Sequence, residues 1–109
     1  MNPINMLRDL WLARLLRRAA TEMRRHGTEE IPFTEFRTTL DFAEFLDAVA
    51  RRLRSGDTSD AQRLWHLFAP TCDWDDAGGS QTMGNLIYGA VGRRFFPSSP
   101  TPSASERHK

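Results

Sequence analysis

Residues 64–85 read L-W-H-L-F-A-P-T-C-D-W-D-D-A-G-G-S-Q-T-M-G-N. An apolar helical end (Leu64, Trp65, Leu67, Phe68) runs into Pro70, which stops a helix a residue or two before it. Asp73, Asp75 and Asp76 then surround Trp74, and Gly78-Gly79 leads to Ser80 or Thr82, either of which suits a helix N-cap. Beyond the cap, Met83, Leu86, Ile87, Ala90 and Val91 recur at helical spacing. The stretch therefore reads as helix, acidic loop over about 70–81, helix. It holds two of the three tryptophans, the only cysteine and three of the seven glycines. Such chemical density in an irregular segment marks a specialised loop.

Working outward, the upstream helix has Ser59 and Gln62 as a capping box and Ala61, Leu64, Trp65 and Phe68 on one face. Ahead of it, apolar residues at 36, 40, 43, 46, 50 and 53 form a broad face, widened by Phe42, Phe45 and Val49. They predict a helix over about 34–54, with Thr34 as one start signal and the pair Thr38 and Asp41 as a second. At the N-terminus, Asn2-Pro3 opens a helix and Gly27 closes it, with Leu7, Trp11, Leu15 and Leu12, Leu16, Ala19, Met23 at helical spacing. Gly84, Gly89 and Gly92 are poor helix formers and weaken the last helix unless a neighbour packs closely on them. From Pro97 the composition is that of a disordered tail. The expectation is one all-α domain over 1–96, a compact bundle of about four helices, followed by a tail over 97–109.

The net charge of the 109 residues is +1, so no global field favours nucleic acid or an anionic membrane. The charges come in blocks. Residues 1–26 carry six arginines against Asp9 and Glu22, whereas residues 27–50 carry six acids against Arg37 alone. Such blocks either pair across helix surfaces or leave an acidic face for a basic partner. Nucleic-acid binding by the arginines of the first helix requires them on one free face, and no recognised motif supports it. A single cysteine excludes an internal disulfide. Arg8, Asp9 and Arg14 interrupt the apolar residues of the N-terminus, which reads as neither signal peptide nor membrane span. A cytoplasmic location follows as the simplest expectation.

No catalytic pattern emerges. Set as position 1 of a calcium loop, Asp73 brings Ala77 to position 5 and Gly84 to position 12, so the closing acid is missing and no metal site is expected. Cys72 and His66 lack a third group to orient a base. No cofactor is implied, and no enzyme activity is expected. Trp74 has two readings: a core residue pinning its loop, or an exposed anchor ringed by acids.

The segment L-W-H-L-F-A-P-T-C-D-W-D-D-A-G-G, continued by M-G-N-L-I, resembles small helical immunity proteins encoded beside bacterial polymorphic toxins. The resemblance covers about residues 64–87 and carries no residue role. It implies a protein that binds and inhibits a cognate toxin domain. An acidic surface suits that task, because a toxin acting on nucleic acid has a basic site. The expected contact set is Glu35, Glu44 and Asp47 with Asp73, Trp74, Asp75 and Asp76. The expected partner is a protein, not nucleic acid or membrane. The alternative is a homo-oligomeric or regulatory helical module.

Overall fold

The computed structural model describes residues 3–97. The expected tail falls, beyond Pro97, outside them. Five helices follow one another: α1 (Pro3–Arg24), α2 (Thr39–Arg54), α3 (Ala61–Leu67), α4 (Asp73–Asp76) and α5 (Gln81–Phe95). Among the described residues there is no strand, only an isolated antiparallel bridge between Glu30 and Thr38.

α1 buries Leu12, Ala13, Leu15, Leu16, Ala19, Ala20 and Met23 along one side, and α2 answers with Phe42, Ala43, Leu46, Val49, Ala50 and Leu53. The alanines lower the ridge between the two helices and let their backbones approach. Met6 and Leu10 share a cavity with Leu53 and Gly56, so the start of α1 lies beside the end of α2 and the pair is antiparallel. α5 packs on α1 in the same sense, held at both ends. The Ser80 amide and hydroxyl each donate to the Glu22 carboxylate at 2.6 Å. At the other end, Arg94 Nε donates to Asp9 Oδ1 at 2.8 Å, with Nη2 to Oδ2 at 3.3 Å. α1 is thus gripped from within by α2 and α5, and its opposite face meets no other helix among the described residues.

Three local expectations need correcting. α2 begins at Thr39, not Thr34, because the Thr34 hydroxyl is taken into a turn between the Ile31 and Phe36 carbonyls. The second start signal is the real one: Thr38 Oγ1 accepts from the Asp41 amide at 3.2 Å. Ser59 does not cap α3. Its amide is drawn to Asp57 Oδ1, and Asp60 takes the cap position with no side-chain cap bond. Finally, the acidic loop contains a helical turn, α4, which raises the helix count to five. Ser80 does cap α5, accepting from the Met83 amide.

Trp74 of α4 is 1% exposed. Its ring stacks on Phe68 at 5.1 Å and meets Phe42 edge-on at 6.0 Å, and its Nε1 donates to the Ser80 carbonyl at 2.8 Å. It is a core residue, so the reading as an exposed anchor falls. The glycines around it now have a reason. A Cβ at Gly79 would lie 2.0 Å from the indole, and one at Gly84 would lie 2.8 Å from it.

Trp74→Ala should lower unfolding free energy by about 3–5 kcal/mol in urea titration. Gly84→Ala makes a sharper test. Helix propensity alone favours alanine by about 1 kcal/mol, but the indole contact should reverse the sign and leave a net loss of about 1–3 kcal/mol.

A candidate partner interface on the acidic strap

The chain between α1 and α2, residues 25–38, forms a strap that is tied down almost everywhere. Gly27 takes φ of 74° to close α1, a conformation that a residue without Cβ adopts freely. Thr39 is fully buried; its hydroxyl donates to the Gly27 carbonyl at 2.7 Å and accepts from the Glu29 amide at 3.0 Å. Ile31 and Phe36 sink into the core, Phe36 stacking on Phe42 at 4.3 Å and meeting Phe45 at 5.2 Å. The Glu35 amide donates to Asp73 Oδ2 at 2.8 Å, fastening the strap to α4. The Glu35 carboxylate accepts from Arg63, whose guanidinium lies 4.2 Å over the Phe45 ring.

From the middle of this anchored loop Phe33 projects, 86% exposed. Glu29, Glu30 and Glu35 of the strap are exposed as well, as are Asp41 and Glu44 on the first turns of α2. Among the described residues the carboxylates of Glu29, Glu30 and Glu44 join no ion pair. A bare aromatic ring on an immobilised loop, set among carboxylates, is suited to a partner that offers an apolar pocket rimmed by cations.

The expected contact residues distribute unevenly around this centre. Glu35 and Asp73 are brought together. Asp75 is exposed but serves its own loop: its Oδ2 accepts from the amide of Thr71, which stands at φ of 64°. Asp76 and Glu44 are exposed. Asp47 departs from the set, because Arg24 binds it at 2.6 Å and it lines a groove with Arg14, Arg17 and Arg18, so it belongs to a cationic neighbourhood. Trp74 departs because it is buried. Phe33 was not picked out from the sequence. The available signal was a large aromatic residue after proline in an acidic linker, outside any helical periodicity.

No group of three or more histidine, cysteine and acidic side chains among the described residues is placed to hold a metal ion. Cys72 and His66 have no hydrogen bond to each other among those residues, and His66 is exposed. Burial pushes the Cys72 thiol above its ordinary value, and the charges of Asp73, Asp76 and Asp75 add to the effect. No helix among the described residues is long and apolar enough to cross a membrane. No known family model matches this chain, and neither a curated protein nor a solved structure shows significant similarity to it.

The sign of the Cys72 shift gives a test. A raised thiol value means less thiolate at neutral pH, so alkylation by iodoacetamide should be slower than that of free cysteine. Asp76→Asn removes one of the charges opposing ionisation and should speed the reaction. A rate above that of free cysteine would show an activated thiol.

Proposed function

We propose that this chain is a protein-binding module of the immunity type, which binds and inhibits a cognate bacterial toxin domain in the cytoplasm and has no catalytic role of its own. The observation that carries the reading is Phe33, exposed on a strap whose flanking residues are fixed by Thr39, Ile31, Phe36 and Asp73. Because the loop is already ordered, little conformational entropy is lost when a partner closes over it. On the strap, Glu29, Glu30 and the Arg63-paired Glu35 flank the ring in sequence, with Arg37 as the one nearby base of that segment; Glu44 on α2 and Asp73, Asp75 and Asp76 on α4 add negative charge. That pattern complements the basic substrate surface of a toxin acting on nucleic acid, steering encounter while the ring supplies short-range affinity. The resemblance of residues 64–87 to immunity proteins points the same way. Phe33 takes the anchoring part first considered for Trp74, and the carboxylates form the rim.

The test is protection in cells. The neighbouring gene should encode a large secreted protein with a variable C-terminal domain; that domain should arrest growth when expressed alone, and coexpression of this chain should restore it. Phe33→Ala should weaken binding by 2 kcal/mol or more, roughly the hot-spot threshold, and abolish protection with the melting temperature unchanged. Glu29→Lys with Glu30→Lys should slow association and flatten its salt dependence. Full protection by the Phe33 variant would refute this surface as the interface.

A further inference from the structure

We infer that the outer face of α1 is covered by the Phe33 strap of a second copy of this chain, in a head-to-tail contact. Large exposed apolar side chains are few among the described residues, and they are concentrated. Ile4, Met6, Leu7, Leu10 and Trp11 all stand on the first three turns of α1, with Leu7 at 62% and Trp11 at 52% exposure; outside α1 the most exposed is Phe33. Met6 and Leu10 border the end of α2 and Trp11 borders α5, yet among the described residues no helix lies across the outer side of α1, and these five side chains stay 41–62% exposed. An apolar patch of this kind, beside charged surface, marks an interaction site.

The second half of the same face is cationic. Arg14, Arg17 and Arg18 are exposed and join no ion pair among the described residues, and with Arg24 they line a groove whose one acid, Asp47, is already bound by Arg24. Asp9 is buried against Arg94 and Glu22 is engaged by Ser80, so neither tempers this face. At the seam where Trp11 meets α5, beside this face, a shallow slot of about 100 Å³ is lined by Arg8, Trp11, Ala90, Arg93 and Arg94. An aromatic ring entering it would find the Trp11 indole and guanidinium groups, both favourable neighbours.

The chemistry that fits this face is an exposed aromatic residue accompanied by carboxylates, and Phe33 with Glu29 and Glu30 supplies it. The chain cannot satisfy itself. The strap leaves from the C-terminal end of α1, whereas the slot lies at Trp11, roughly 20 Å away along the helix at 1.5 Å per residue. Two copies can meet, with Phe33 of one in the slot of the other and Glu29 and Glu30 toward Arg14 and Arg18. Because the two surfaces differ, the pair keeps one strap and one slot unused, and association continues until a ring closes or a filament forms. A toxin bound at Phe33 would compete with this contact. The inference does not rest on the toxin reading, since purified protein alone decides it.

Sedimentation velocity supplies the test. The average mass of the wild-type chain should rise with concentration and fall with salt, which screens the charged part of the contact. A strap variant (Phe33→Ala, Glu29→Lys, Glu30→Lys) and a slot variant (Trp11→Ala, Arg14→Glu, Arg18→Glu) should each sediment as a monomer, with circular dichroism melts confirming that both are folded. Mixed one to one, they should form a species of two chains and grow no further, because the one intact strap and the one intact slot are both used in that contact. If the wild type stays monomeric up to millimolar concentration, the inference fails. It also fails if either variant associates like the wild type, or if the folded variants do not pair when mixed. A monomeric wild type that binds phosphatidylglycerol vesicles, with a blue shift of Trp11 fluorescence, would assign the face to a lipid surface instead.

Discussion

The Trp74 indole has almost no freedom, and the arrangement of the acidic end depends on that. Phe68 stacks on it, Phe42 meets it at right angles, the Ser80 carbonyl takes its N–H, and Gly79 and Gly84 lie directly against the ring. Close packing of this kind leaves no room for compensation. Because the indole is fixed, α4 is fixed, and Asp73 is held where it can receive the Glu35 amide. That bond in turn holds the strap from which Phe33 projects. A side chain that no partner can touch therefore sets the direction of the one most available to a partner.

Charge is used in two ways across the surface. Where acidic and basic blocks face each other inside the fold, they pair: Asp9 with Arg94, Arg24 with Asp47, Arg52 with Asp60, and Glu35 with Arg63. Arg52 and Asp60 close a local turn, eight residues apart, whereas the other three pairs join segments distant in sequence and help specify which element lies beside which. The exposed pairs contribute little to stability, while the partly buried Asp9–Arg94 pair is worth more, since either partner alone would be left desolvated. Outside these pairs the arginines Arg14, Arg17 and Arg18 gather on the outer face of α1, while Glu29 and Glu30 stand on a strap that also carries Arg25 and Arg37. A net charge of +1 conceals that unevenness.

Helical periodicity made the all-α fold legible, and the ends of α1 were readable from Pro3 and Gly27 because those residues act through their own backbones. The start of α2 was harder. Two threonines four residues apart both resemble caps, and only the tertiary placement of Ile31 and Phe36 diverts Thr34 into a turn. Glycine at 84 was recognisable as costly in a helix, but the indole that compensates for it belongs to another element. The candidate interface was legible in composition and not in arrangement. The strap carboxylates are acidic in any reading, yet sequence does not show that Asp47 faces arginines or that Trp74 points inward. Phe33 escaped notice because periodicity searches discount an aromatic residue that has no partner three or four positions away.

The two clamps that hold α5 to α1 also govern the order in which the molecule can be finished as it is made. Glu22 waits for Ser80, 58 residues later, and Asp9 waits for Arg94, 85 residues later. A nascent chain that has emerged through α3 can pair α1 with α2, but the inner side of α1 keeps an unpaired carboxylate at Asp9 and an uncovered edge. A carboxylate without its cation resists burial, so this side of the core is completed only when α5 is present. A product that stops short of Arg94 leaves Asp9 without its partner at a position that the native fold buries.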